Sequence, residues 1–121
     1  MGANTPMTKE TQKFIKRIND MQQIGKKFDS GKPRLAEMIQ DFRFSLIEVA
    51  KIWEFGANKY DKGNWRYVEN GENRYTNAML RHLVAEMDSK TDEESKLLHA
   101  AHVAWNALAR LHFILEKEKG G

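Results

Sequence analysis

Residues 92–111, DEESKLLHAAHVAWNALARL, carry a helical pattern with both an apolar and a polar face. The apolar side chains recur every three or four residues, which predicts an amphipathic helix over about 93–117. These apolar residues are Leu97, Ala101, Ala104, Trp105, Leu108 and Leu111. His99, His102 and Asn106 follow at i, i+3 and i+7 and therefore share a second face of the helix. This polar ridge indicates either boundary residues satisfied by their neighbours or a functional site.

The same helical spacing predicts three further helices, over about 9–24, 35–55 and 74–87. Gly25 and Gly56 are predicted to end the first two, because glycine is common just beyond a helix C-terminus. No window alternates with period two, so the predicted fold is an all-α helical bundle. Residues 1–24 are predicted to be a tail and an accessory N-terminal helix, and residues 25–121 a single main domain.

The composition narrows the class of protein. The 121 residues carry a net charge of +3 without a run of five basic residues, which argues against a nucleic-acid-binding protein. No apolar run approaches 18 residues and no signal peptide is visible, so neither a membrane span nor export is predicted. Cysteine is absent, so a cytoplasmic location is expected by default. A domain this small buries little surface alone, which favours a homo-oligomer, either a dimer or a tetramer.

Acidic residues near the polar ridge are candidate metal ligands. Asp92 and Glu94 precede His99 by about one or two helical turns, and carboxylates are natural ligands for Mg²⁺ or Mn²⁺. An alternative is that acids here only stabilise a helix N-terminus. The spacing around Glu48, taken alone, is that of an ordinary surface residue. His82 and Glu86 lie at i and i+4 on the third helix, so they are compatible with a local side-chain pair as well as with a functional site.

Basic residues are spread over two predicted loops and the third helix. Together they could clamp a triphosphate, although solvation explains each one singly. They are Lys32 and Arg34 in the first loop, Lys59 in the second, and Arg74 and Arg81 on the helix. Covalent catalysis has no evident nucleophile, since cysteine is absent and no serine lies near a plausible base motif. The GKP at 31–33 is not a P-loop, because Pro33 replaces Ser or Thr.

Four blocks of sequence carry a resemblance to a known family. They are FDSGKPRL (28–35), EVAKIWEFGANKYDKGNW (48–65), RYTNAMLRHL (74–83) and DEESKLLHAAHVAWNALARL (92–111). In this order they resemble the phage dATP/dGTP diphosphohydrolases, including the MazZ-type enzymes related to MazG. The resemblance covers about residues 25–115 and leaves the N-terminal helix outside.

The resemblance implies a MazG-like all-α fold and metal-dependent hydrolysis of a purine dNTP to dNMP and diphosphate. The matched polar positions are Asp29, Lys32, Arg34, Glu48, Lys59, Tyr60, Asn64, Trp65, Arg74, Arg81, His82, Asp92, Glu94, His99, His102 and Asn106. On this interpretation Glu48, Asp92 and Glu94 hold Mg²⁺ or Mn²⁺, and His102 assists them.

The remaining matched positions, except Asp29, are predicted to bind the substrate. Lys32, Arg34, Lys59 and Arg81 would neutralise the triphosphate. Tyr60 or Trp65 would stack on the base, and Asn64 or Asn106 would read its edge. The alternative for both aromatic residues is a place in the hydrophobic core.

One departure from the MazG pattern keeps two other functions open. The wider signature is ExxE followed by ExxD, whereas Glu48 is followed at i+3 by Lys51 and no ExxD is present. A helical module that binds nucleotide or nucleic acid without hydrolysing it is the first alternative. A purely structural protein that uses the helix at 9–24 as its interaction surface is the second.

Overall fold

The backbone of residues 7–29 and 31–120 is described by a computed structural model, with side chains for 7–21 and 31–120. Over these residues the chain is all-α, as predicted, and has no β-strand. The α-helices are α1 (Lys9–Asp29), α2 (Leu35–Asp41), α3 (Arg43–Lys59), α4 (Gly71–Ala85) and α5 (His99–Gly120). No helix of this part of the chain is long and apolar enough to cross a membrane. The chain divides into two compact units between Glu37 and Met38.

The first unit consists mainly of α1. Thr8 begins the helix, because its hydroxyl accepts a hydrogen bond from the backbone N–H of Thr11 at 3.1 Å. The predicted helix at 9–24 is confirmed, but the predicted stop at Gly25 is wrong, since α1 continues to Asp29. A glycine inside a helix costs only about 1 kcal/mol, which neighbouring helix formers can offset. Residues 1–6 of the predicted tail lie outside the described residues.

The predicted helix at 35–55 is two helices. Phe42 separates α2 from α3 with φ −105° and ψ 22°, away from helical values. The predicted stop at Gly56 is also wrong, because α3 continues to Lys59 and the backbone N–H of Tyr60 bonds to the Gly56 carbonyl. Within the predicted loop at 56–73, Asn64–Tyr67 form a short 3₁₀ helix that begins at Gly63, whose φ is 83°. Only glycine adopts this backbone conformation without strain.

The predicted helix at 74–87 is confirmed with shifted ends, as α4 spans Gly71–Ala85. The predicted start of the last helix near Glu93 is wrong, because α5 begins at His99. Lys96 has φ 64°, a left-handed conformation that a helix cannot contain. Residues 86–98 instead form a closed loop, in which the Asp92 N–H bonds to the Leu97 carbonyl and the His99 N–H to the Lys90 carbonyl.

Helix α5 is the centre of the second unit and packs against α3 and α4. Its buried residues include Ala101 and Ala109 but also the whole polar ridge of His99, His102 and Asn106. Beside them, the rings of four half-buried aromatic residues make mutual edge or stacked contacts: Trp65, Tyr75, Trp105 and Phe113. Two residues of the predicted apolar stripe, Leu108 and Leu111, are about half exposed.

We expect Gly71→Ala to lower the free energy of unfolding by about 1–3 kcal/mol, the usual cost of overpacking. A Cβ atom at Gly71 would lie closer than 3.0 Å to three carbons of the Phe113 ring. The matched control is Gly56→Ala inside α3, where a Cβ meets nothing within 4 Å. This control should be neutral or more stable by up to about 1 kcal/mol. Urea unfolding measures both, and equal stability of the two variants would contradict the packing described.

Candidate active site

Two helices and one loop bring three metal-ligating side chains together. His82 lies on α4, Asp92 in the loop at 86–98, and His102 on α5. One candidate ligand atom from each lies within 4.8 Å of the others, and no further set of this kind occurs among the described residues. The rings of His82 and His102 are stacked, with centroids 4.1 Å apart and planes inclined by 3°. His99 joins from the start of α5, with its Nδ1 atom 2.9 Å from Nδ1 of His82.

Ser95 holds the carboxylate of this cluster in place. Its backbone N–H and its hydroxyl both donate to Oδ2 of Asp92, each at 2.8 Å. The same hydroxyl oxygen lies 2.7 Å from Nε2 of His102. Asp92 is thus fixed by a turn of its own loop, and Ser95 connects it to α5.

Burial determines the charges in the cluster. Desolvation between the helices, together with electrostatic repulsion from His82, lowers the pKa of His102 from 6.5 to about 4. Desolvation also lowers the pKa of His82. Desolvation opposes ionisation of Asp92, but the hydrogen bonds from Ser95 together with the nearby imidazoles hold its pKa below the usual value. At neutral pH the cluster therefore has two neutral imidazoles and one carboxylate, and the 3.7 Å contact of His102 with Asp92 is not an ion pair.

A cavity of about 620 Å³ lies beside the cluster, entirely within the second unit. His82 and His102 form part of its wall. Aromatic side chains form another part: Trp53, Phe55, Tyr60, Trp65, Tyr75 and Trp105. Three cationic side chains, all exposed, also line the cavity: Lys59, Arg74 and Arg81. Two acidic residues, Asp61 and Glu94, line it as well. This volume falls in the range of small-molecule sites, and its lining combines apolar rings with positive charge.

Lys59 is positioned by contacts with its neighbours at the cavity. Its ammonium donates to Oε2 of Glu94 and lies 5.0 Å from the centre of the Tyr60 ring. The hydrogen bond to Glu94 raises the pKa of Lys59 above its ordinary value. The positive charge of Lys59 is therefore secure at any physiological pH.

Comparison with known proteins identifies the family. The profile described as "dATP/dGTP diphosphohydrolase, N-terminal" matches residues 22–120. The chain belongs to this family. It is 38% identical over 81 residues to a protein of Salmonella phage PMBT28 named dATP/dGTP diphosphohydrolase. That match covers 66% of this chain and 26% of the relative, so the chain corresponds to about a quarter of the length of the relative. No solved structure matches significantly.

Most of the site residues predicted from the family resemblance line the cavity. They are Lys59, Tyr60, Asn64, Trp65, Arg74, Arg81, His82, Glu94, His102 and Asn106. Their roles with substrate stay predictions. Asn106 donates from Nδ2 to the carbonyl of His102, which leaves its Oδ1 for other contacts. Trp65 is compatible both with stacking on the base and with a place in the hydrophobic core. It lines the cavity, and its ring also packs edge-on against Trp105, with ring centroids 5.8 Å apart.

The cavity lining does not include five of the predicted site residues: Lys32, Arg34, Glu48, Asp92 and His99. Lys32 and Arg34 belong to the first unit and are exposed. Glu48 pairs with Lys51 on α3 at 2.9 Å, and Glu94 pairs with Lys59. Among the described residues, neither belongs to the set of candidate ligand atoms within 4.8 Å of one another, and their role as metal ligands stays a prediction. Asp92 converges with His82 and His102 instead. The ring of His82 stacks on that of His102. This contact favours the interpretation of His82 as a site residue over a local pair with Glu86, which the i, i+4 spacing also allowed.

Sequence reasoning missed Ser95 and four aromatic residues of the cavity, Trp53, Phe55, Tyr75 and Trp105. Ser95 lies against His102, contrary to the expectation that no serine lies near a candidate base. An aspartate that accepts from the N–H three residues on is typical of a capping carboxylate, so the Asp92–Ser95 spacing was the available signal. Tyr75 donates from its hydroxyl to the carbonyl of Trp65 at 2.9 Å, a contact between segments that no local pattern indicates.

Acidification should destabilise this family member between about pH 6.5 and 4 when a chelator removes metal. The folded His102 binds a proton only near pH 4, whereas the unfolded chain binds it near 6.5. The unfolded state therefore binds more protons in this window, and the free energy of unfolding falls as pH falls. Urea unfolding across this range measures the slope. His102→Gln should flatten it and His112→Gln should keep it, whereas an unchanged slope in His102→Gln would contradict the assignment.

Proposed function

We propose that the chain hydrolyses dATP or dGTP to the dNMP and diphosphate with the help of a divalent metal ion. One observation carries the proposal: a single cavity is lined by cationic side chains, aromatic rings and two histidines of the His–Asp cluster. These are the three kinds of group that a metal-dependent nucleotide hydrolase needs. Membership of a family named for this reaction supports the substrate class.

The reaction takes place at the α-phosphorus. The oxygen of a water molecule forms a bond to this atom, and the bond from it to the bridging oxygen of the β-phosphate breaks. Diphosphate leaves with the electron pair, and one proton of the water is released. The chemistry that a bound divalent ion supplies is polarisation of a phosphoryl oxygen and a lowered pKa of water.

Cationic residues at the cavity are the candidates for binding the triphosphate. Arg74 and Arg81 lie on α4 seven residues apart, which places them on the same face about two turns apart. Guanidinium groups bind phosphate oxygens in pairs of hydrogen bonds. Lys59, already paired with Glu94, adds a further charge. We propose that these residues hold the phosphates and stabilise the charge that develops on diphosphate.

The donor chemistry of the cluster fits a divalent ion. Asp92 offers a carboxylate and the two imidazoles offer nitrogen lone pairs, all from side chains that are at least partly buried. The ion predicted from the family resemblance is Mg²⁺ or Mn²⁺. The roles of Glu48 and Glu94 as metal ligands stay part of that prediction. Since dNTPs are the proposed substrates, the proposed place of action is the cytoplasm, where these nucleotides are used.

A product-release assay tests the proposal. The untagged chain is incubated with each dNTP and each NTP, with Mg²⁺ or Mn²⁺ and with chelator, and the products are separated by chromatography. We expect dNMP and diphosphate from dATP or dGTP, only with metal. Release of dNDP and phosphate would overturn attack at the α-phosphorus, and nucleotide binding without turnover would favour the non-catalytic alternative.

Matched arginine variants locate the reaction in the cavity. Arg81→Gln should lower kcat/KM by about tenfold or more, since a hydrogen bond to a charged group contributes about 1.5–3 kcal/mol. Arg43→Gln removes the same charge from an exposed position at the start of α3, outside the cavity, and should leave kcat/KM unchanged. Equal effects of the two substitutions would place the triphosphate elsewhere.

We also propose a homo-oligomer, either a dimer or a tetramer. Leu108, Leu111 and Leu115 follow at i, i+3 and i+7 on α5 and are 52%, 48% and 48% exposed. An exposed apolar stripe of this kind favours burial against another chain.

Light scattering during size-exclusion chromatography tests the assembly. We expect the mass of two or four chains for the parent and a smaller mass for Leu111→Glu, because a buried carboxylate opposes association. Lys119→Glu, which places the same side chain near the exposed end of α5, is the control and should keep the parent mass. A monomeric parent at every concentration would overturn this part of the proposal.

A further inference from the structure

The ligand set of the His–Asp cluster carries an inference about the class of metal. It consists of two imidazoles and one carboxylate, on three separate segments that converge within 4.8 Å. We propose that His82, Asp92 and His102 form a site for a divalent transition-metal ion that prefers imidazole, such as Co²⁺ or Zn²⁺, in preference to Mg²⁺. The part of this ion in nucleotide hydrolysis rests on the proposed function, whereas its binding does not.

The donor chemistry separates these metals. Mg²⁺ takes oxygen ligands in near-ideal octahedral geometry and gives up its waters reluctantly. Imidazole nitrogen instead suits zinc, copper, iron and nickel, and the affinity of a given site rises from Mn²⁺ through Co²⁺ to Cu²⁺. Only Asp92 among the three residues offers oxygen. A site with nitrogen as two of its three protein donors therefore favours a transition metal.

Outer contacts orient the ligands before any ion binds. Nδ1 of His82 and Nδ1 of His99 share a hydrogen bond of 2.9 Å. When Nδ1 of His82 carries the shared proton, Nε2 of the same ring keeps its lone pair for an ion. The hydrogen bond to His99 also fixes the orientation of the His82 ring. A ligating histidine is commonly held this way through its other nitrogen. Ser95 fixes Asp92 through Oδ2, and Oδ1 is not engaged by those two bonds.

The position of the cluster leaves room for a further ligand. His82 and His102 line the cavity, so an ion bound to them is open to a molecule that occupies it. Three protein ligands with an open position are typical of catalytic rather than structural sites. The ligand class expected there is a phosphate oxygen or water.

Cobalt binding tests the site without reference to activity. The untagged full chain is freed of metal with chelator, dialysed, and titrated with Co²⁺ at neutral pH, and the visible absorption bands of Co²⁺ are recorded. We expect saturation at one Co²⁺ per chain, displacement by Zn²⁺, and no displacement by a large excess of Mg²⁺. Ready displacement by Mg²⁺ would overturn the proposed selectivity.

Ligand variants assign the donors. His82→Ala, His102→Ala and Asp92→Asn should each weaken Co²⁺ binding by about 100-fold or more, the upper end of what loss of an outer-shell partner costs. His112→Gln, a histidine outside the cluster, is the matched control, and Glu48→Gln tests the alternative acidic ligand. Both should leave the affinity unchanged. Circular dichroism verifies folding, and Asp92→Asn, which hardly alters volume, keeps the test valid if an alanine variant unfolds.

The outcomes separate this site from the proposed function. Tight Co²⁺ binding that depends on the two histidines, without hydrolysis of any nucleotide, supports the site and overturns the function. Hydrolysis supported by Mg²⁺ in a chain whose histidine variants bind metal as well as the parent overturns the site and supports the function. Loss of affinity in Glu48→Gln, with full affinity in His82→Ala, would assign the metal to a carboxylate set instead.

Discussion

Burial of polar side chains between α4 and α5 is the constraint on which the second unit depends. His99, His102 and Asn106 are among the most buried residues of α5, and a buried polar group without a partner costs about 1–3 kcal/mol. Each has a partner: His99 bonds to His82, His102 contacts Ser95, and Asn106 donates to the helix backbone. No buried side-chain nitrogen or oxygen in the described part of the chain lacks one. The partner of His99 comes from α4 and the partner of His102 from the loop at 86–98, so both segments contribute to satisfying the buried histidines of α5.

The same burial gives the cluster the charge that the proposed metal site requires. Desolvation keeps both imidazoles neutral, whereas Ser95 helps to keep Asp92 ionised through two hydrogen bonds. The cluster thus has one negative charge and no cationic partner of its own at neutral pH. Glu94, by contrast, is already neutralised by Lys59. A partly buried carboxylate beside unprotonated imidazoles gains more from a metal ion than an exposed acid in an ion pair does, since surface pairs contribute little.

The helices could be predicted from the spacing of apolar residues, which is a local pattern, whereas the residues that line the cavity were predicted from the family resemblance. The spacing of His99, His102 and Asn106 placed them on one face, and burial of that face followed from packing. The start of α5 could not be predicted from spacing, because it depends on the left-handed backbone of Lys96 and on bonds that close the loop. The convergence of His82 with Asp92 and His102 was not predicted, for a related reason. His82 and His102 are 20 residues apart on different helices, so their stacking is a property of how α4 packs on α5.

The cationic residues of the cavity and the His–Asp cluster differ in how deeply they are buried. Arg74 and Arg81 are exposed, so their attraction to phosphates is screened by salt over about 10 Å at 0.1 M ionic strength. His102 is buried, and its interactions are screened much less. Binding of a triphosphate should therefore weaken with salt while metal affinity changes little. If nucleotide and metal bind in this cavity, salt chiefly lowers the affinity for the substrate. The rate of the chemical step depends instead on the geometry around Asp92.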